Sequence, residues 1–123
     1  MSIGVFSLSL NVKDVATSAE FYKKLGFREI GGKIEDNWLI LTNGDANLGL
    51  FKGMIEKNTL TFNPGWGAEG KEVDDFEDIR AIQARLKAEG IPLDTEADAA
   101  TTGPAHFILT DPDGNPILVD QHR

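Results

Sequence analysis

The chain has 123 residues, with twelve Lys and Arg against twenty Asp and Glu, and a formal charge of −8. With 41% hydrophobic and 8% aromatic residues it can build one core and not two, which points to a single domain over 1–123. The longest apolar run, at Trp38 to Leu41, is far short of the ~18 residues that cross a bilayer; cysteine is absent, so disulfides, thiolate metal sites and a cysteine nucleophile are excluded. No basic-then-apolar leader opens the chain, no Lys/Arg stripe carries interleaved aromatics, and the charge is acidic. A cytoplasmic location is therefore expected, with neither nucleic acid nor membrane as a partner.

The segment 3–12 alternates from Phe6 onward, with Phe6, Leu8, Leu10 and Val12 on one face and Ser7, Ser9 and Asn11 on the other, as in a half-buried strand. Asp14 then precedes a helical stretch in which Ala19, Tyr22 and Leu25, or Phe21 and Leu25, recur until Gly26 ends it. Strands are predicted at 27–34, 38–42 and 47–52, the last two separated by the turn formers Asn43-Gly44-Asp45, so the first half reads βαβββ. Residues 59–62 read as a short strand, and Asn63-Pro64-Gly65-Trp66-Gly67 as a loop. Phe76, Ile79, Ile82 and Leu86 mark the apolar face of a second helix, which Asp75 caps and Gly90 closes, with Lys87 in the last turn. After a loop at 96–104, strands at 106–110 and 116–120 flank the turn Asp111-Pro112-Asp113-Gly114-Asn115.

The chain also repeats itself. Val12-Lys13-Asp14 and Val73-Asp74-Asp75 each precede a helix that closes at a glycine, and Ile40-Leu41-Thr42, Asp45 and Asn47 are answered by Ile108-Leu109-Thr110, Asp113 and Asn115. Two tandem copies of a βαβββ unit follow, with module one at about 3–53, a linker and loop at about 54–68, and module two at about 69–121. Val12-Lys13-Asp14-Val15 with Ser18, Phe21-Tyr22 and Leu25-Gly26-Phe27, and Asp111-Pro112-Asp113-Gly114-Asn115-Pro116-Ile117 near the end, resemble the opening and closing elements of the vicinal oxygen chelate superfamily. That superfamily holds glyoxalase I, extradiol dioxygenases and bleomycin-resistance proteins. The resemblance implies an α+β fold, a curved mixed sheet around a cleft, and a homodimer.

Metal-dependent members of the superfamily carry a His or Gln on the first strand of each unit and a Glu on the last. Counting along the matching motifs places these positions at Ser7, Gly49, near Ala68, and Leu118, none of which is such a ligand. Glu69 is the nearest oxygen ligand to the third position. No metal and no cofactor is expected, and no catalytic residue is assigned. His106 opens a strand from which it can face the cleft, and His122 reads as part of a frayed tail.

A two-residue period puts Ser7, Ser9 and Asn11 beside Asn47, Gly49 and Phe51 on one face. Gly49 there either opens space for a ligand or marks a bulge. Trp38 reads as a core or dimer-interface residue, and Trp66 as a pocket lid, a dimer contact or a loop anchor. The acidic run Asp74, Asp75, Glu77 and Asp78 reads as favourable charge at a helix N-terminus. No nucleophile elbow and no phosphate-cradling glycine loop is present. The expected ligand-binding set is Ser7, Ser9, Asn11, Asn47, Gly49, Phe51, Trp66, His106 and Asp120, around a small organic molecule in a metal-free cleft. Two alternatives stand beside it: a metal-dependent lyase or isomerase with displaced ligands Glu69, His106 and Asp120, and a dimeric interaction module using Trp38 and Trp66.

Overall fold

Alternation and capping in the sequence translate into seven strands and two helices. In the computed structural model, which describes residues 2–123, these are β1 (Val5–Asn11), α1 (Val15–Lys23), β2 (Arg28–Lys33), β3 (Trp38–Thr42), β4 (Asn47–Phe51), β5 (Thr59–Asn63), α2 (Ile79–Ala88), β6 (Ala105–Thr110) and β7 (Pro116–Gln121). All the strands join one mixed sheet in the order β2-β3-β4-β1-β5-β7-β6. β1 runs parallel to β4, with Leu8 opposite Leu48, and antiparallel to β5, with Leu8 opposite Leu60. β5 in turn runs parallel to β7, with Leu60 opposite Ile117. The ladder therefore repeats about the Leu8–Leu60 pair, so that β5 stands to β7 as β1 stands to β4.

The strand expected at 59–62 forms as β5, and through it the two halves of the sheet join, although it lies in the segment 54–68 read as linker and loop. The second copy of the unit has one strand fewer than βαβββ: at the position matching β2, Thr95 makes only an isolated bridge to Ile108. Pro92 has no N–H for a ladder, and Glu96-Ala97-Asp98-Ala99-Ala100 lacks the β-branched and aromatic side chains that favour a strand.

Both helices pack on the same face of the sheet. α1 begins where the Asp14 carboxylate accepts the Thr17 N–H at 3.0 Å, and buries Val15 and Ala19 against Leu39, Leu41 and Leu50. α2 buries Ile79 and Ile82 against Phe107 and Val119. Its cap is Asp78 rather than Asp75, with the Asp78 carboxylate accepting the Arg80 N–H at 2.9 Å. The helix starts there because Gln121, fully buried at the end of β7, grips that point. Its Oε1 accepts the Ile79 N–H at 2.8 Å, and its Nε2 donates to Asp78 Oδ1, Gly103 O and Arg123 O at 3.0, 3.2 and 3.0 Å. Burial pushes the Asp78 carboxyl upward, but the hydrogen bonds from Gln121 and Arg80 outweigh it and hold it below the usual carboxylate value.

The other face is polar, and it is the better buried of the two along β1. Ser7 and Ser9 are 6% and 4% exposed, whereas Phe6 on the helix side is 42% exposed and leans on Phe62 with ring centroids 5.4 Å apart. The helices reach the flanking strands and leave Phe6 partly open, while loops fold over the polar side. Glu69, in the turn after β5, pairs with Arg28 at the start of β2, four strands away in the sheet order. That reach closes one end of the polar face over Ser7, Asn47 and Thr42. Replacing Gln121 by Leu is expected to lower stability by about 2–3 kcal/mol in urea denaturation, because it strands buried backbone groups at the start of α2.

Candidate ligand-binding cleft

Register decides which side chains share the polar face, because cross-strand partners project to the same side. Ser9 stands opposite Gly49 of β4 and Thr59 of β5, and Ser7 stands opposite Thr61. Gly49 in turn stands opposite Ile40, Phe51 opposite Trp38, Thr61 opposite Leu118, and Leu118 opposite Ile108. The expected set Ser7, Ser9, Asn11, Asn47, Gly49 and Phe51 is thus brought onto one face. At its centre the Ser9 and Thr61 hydroxyls bond at 2.7 Å, and both side chains are buried. Asn47 Nδ2 donates to Phe6 O at 3.0 Å and Asn63 Nδ2 to Asp120 O at 2.8 Å, so two amides flank the hydroxyl pair. Ser7 Oγ is buried with no hydrogen-bond partner.

Four positions decide whether the divalent metal of the fold family fits this floor. Three of them, Ser7, Gly49 and Leu118, lie on the polar face as counted from the sequence. The fourth is corrected: Ala68 belongs to a 3-10 turn, and the ladder repeat matches Ser7 with Thr59. Two hydroxyls, a glycine and a leucine offer neither carboxylate nor imidazole, so the residues present do not fit a divalent cation. The displaced set does not converge either. Glu69 is held by Arg28 and lies 3.7 Å from Lys71 Nζ beside the β2 edge, whereas His106 is on β6 at the opposite edge. Among the described residues no group of three or more His, Asp or Glu is placed to hold a metal ion.

Gly49 neither opens space nor bulges the strand. A Cβ at this position would lie 2.5 Å from Phe51 Cε2 and 3.4 Å from Ile40 Cδ1, so the Phe51 ring fills the room that a side chain would take. That ring lies parallel to the Trp38 indole at 6.3 Å between centroids. Trp38 is therefore a wall of the polar face rather than a core residue. Asn11 is committed to the loop after β4, its N–H donating to Asn58 Oδ1 at 2.9 Å and its Nδ2 to Glu56 O at 3.4 Å.

Trp66, His106 and Asp120 form a separate corner. Asp120 stands opposite His106 in the β6–β7 ladder, and its carboxylate pairs with His122 Nε2 at 3.1 Å. The His122 ring stacks on the Trp66 indole, with centroids 4.6 Å apart and planes at 6°. The tail is not frayed: Arg123 also donates to Gly65 O at 3.0 Å and Val73 O at 2.6 Å, with its guanidinium 5.0 Å above the Phe76 ring. Trp66 is thereby anchored within its own chain. It also lines a cavity of about 670 Å³ with Val5, Pro64, Val73 and Phe76, outside the hydroxyl floor.

Thr59, Thr61 and Asn63 were not expected in the site. Their signal is a second repeat: Ser7-Leu8-Ser9-Leu10-Asn11 and Thr59-Leu60-Thr61-Phe62-Asn63 have the same alternation of polar types, and the ladder superposes them.

Two measurements check this geometry. Gly49→Ala is expected to cost about 1–3 kcal/mol in denaturant unfolding, since the Phe51 ring must leave its place on Trp38. The hydrogen bond that His122 donates to Asp120 raises its imidazole above the ordinary value of 6.5, and burial opposes this. The pair therefore contributes stability that is fully present below pH 6.5 and is lost as pH rises through the raised value. Asp120→Asn should return the His122 titration, followed by NMR, toward the ordinary value; an unchanged titration would show that the pair does not set it.

Several solved structures share this architecture. One described as NAD-dependent benzaldehyde dehydrogenase from Legionella pneumophila is 20% identical, covers 97% of this chain and 100% of its own, and superposes with a TM-score of 0.71. A glyoxalase/bleomycin resistance protein/dioxygenase superfamily member from Vibrio splendidus 12B01 is 18% identical over 95% of this chain and 97% of its own, with a TM-score of 0.62. A variant of the Streptomyces coelicolor methylmalonyl-CoA epimerase, in complex with 2-nitronate-propionyl-CoA, is 15% identical over 99% of this chain and 97% of its own, with a TM-score of 0.61. These likenesses speak for the fold alone, and among curated proteins none matches. The family model of the Glyoxalase/Bleomycin resistance protein/Dioxygenase superfamily matches residues 4–119, and the chain belongs to that superfamily.

Proposed function

We propose that this chain binds a small, uncharged organic molecule on the polar face of its sheet without a divalent metal. One observation carries the reading: the four positions at which metal-dependent relatives hold their ion are Ser7, Gly49, Thr59 and Leu118, around a floor of neutral hydroxyls and amides. Such a floor gives and accepts hydrogen bonds but supplies no general base and no Lewis-acid ligand set. Beside it, Trp38, Phe51 and Ile40 offer a flat apolar wall for an unsaturated or aromatic group. His106, Asp120 and Trp66 then border the site rather than form its floor.

The alternatives lose their specific supports. A lyase with displaced ligands needs Glu69 beside His106 and Asp120, and Glu69 is engaged by Arg28 across the sheet. An interaction module resting on the two tryptophans has no support beyond their size, since each indole already has a stacking partner in its own chain, Phe51 for Trp38 and His122 for Trp66. Pairing into a homodimer stays part of the proposal. No helix among the described residues is long and apolar enough to cross a membrane.

Native mass spectrometry of protein purified without chelator or affinity tag tests the reading in one spectrum. The expected species is a dimer without stoichiometric divalent ion, carrying any retained guest as an added organic mass. A divalent ion that survives buffer exchange at one per chain would sink the proposal. A bound guest should also quench Trp38 emission, and Phe51→Ala should weaken its affinity about fivefold to thirtyfold by removing one aromatic face.

A further inference from the structure

The half of the cleft formed by the second repeat is a pocket in its own right. A cavity of about 320 Å³ lies beneath the loop from Met54 to Lys57, walled by Ile55, Ile108, Pro116 and Leu118. Ile108, Pro116, Leu118 and Thr59 all lie on the polar face by register, so this is the same cleft, at the end away from the Glu69 turn. Where relatives carry a metal-binding carboxylate, Leu118 makes the wall hydrocarbon. The loop above is tied down by Asn11 through Asn58 and the Glu56 carbonyl, so the pocket is preformed.

Thr59 is the one hydroxyl in this lining, and its proton is already used. Its Oγ1 donates to Lys57 O at 2.9 Å, which leaves only lone pairs for a guest. A carbonyl or ether oxygen brought against Thr59 would meet another acceptor, whereas an alcohol O–H would complete the chain of bonds from guest to Thr59 to Lys57. From this geometry we infer that the half-cleft takes a compact alicyclic or branched aliphatic group bearing a hydroxyl, and prefers such an alcohol to the matching ketone. This rests on the metal-free reading above and narrows it to a ligand class and an orientation.

The test is an NMR titration of the isotope-labelled full chain with cyclohexanol and, separately, cyclohexanone. Saturable amide shifts are expected at 54–59, 108 and 117–118, with the alcohol bound about threefold to tenfold more tightly than the ketone. Thr59→Val should abolish that preference by weakening the alcohol without weakening the ketone, and Leu118→Trp should fill the pocket and abolish both. Shifts that fail to saturate, shifts centred elsewhere, or equal affinities in the unaltered chain would overturn the inference. If Thr59→Val does not fold, the alcohol-to-ketone ratio of the unaltered chain decides alone. Retention of a stoichiometric divalent ion overturns the metal-free reading and this one together, whereas metal-free protein that takes cyclohexanol against Trp38 and Phe51 overturns only this one.

Discussion

The antiparallel seam between β1 and β5 is the constraint on which the rest of the molecule depends. Each half of the chain builds its own patch of sheet and its own covering helix. Joined through the Leu8–Leu60 pair, they become one sheet with both helices on one side and a continuous polar face on the other. The seam also buries three hydroxyl side chains, those of Ser7, Ser9 and Thr61. Ser9 and Thr61 satisfy each other there, and Ser7 does not find a partner. A buried hydroxyl without a partner costs about 1–3 kcal/mol, a cost that an apolar residue would avoid.

Much of the fold was legible in the sequence because it is written in short-range signals. The Ser7/Leu8 alternation, the Asp14 cap and the turn formers between β6 and β7 act over a few residues, and each strand and helix formed where its pattern lay. The misses came from longer-range effects. The helix cap moved from Asp75 to Asp78 because Gln121, more than forty positions away, grips the chain at that point. The first strand of the second copy was placed near Ala68 by counting back from Val73-Asp74-Asp75, but the intervening chain is longer than its counterpart. It leaves the sheet after Asn63 and crosses to Arg28 before it returns to α2.

The candidate site shows the same division. The shared face of Ser7, Ser9, Asn11, Asn47, Gly49 and Phe51 follows from a two-residue period and was visible without coordinates. What fills the space next to Gly49 was not, because a glycine in a strand is compatible with a void, a bulge or a neighbour's ring, and only packing selects the Phe51 ring. His122 reads as tail by its position, yet it is held between Trp66 and Asp120. Position in the chain is a weak guide to order when an aromatic partner and a carboxylate both lie within reach.

The backbone about the seam is nearly symmetric, whereas the two walls are not. One carries the flat Trp38–Phe51 pair, the other the rounded aliphatic surface of Ile108 and Leu118. A duplicated scaffold with identical walls would accept a guest in either of two poses of equal energy, related by half a turn. With one flat and one rounded wall, the two poses would differ in energy, and a guest would be held in a single orientation. Divergence between the copies thus converts a cup with two equivalent directions into one with a head and a tail.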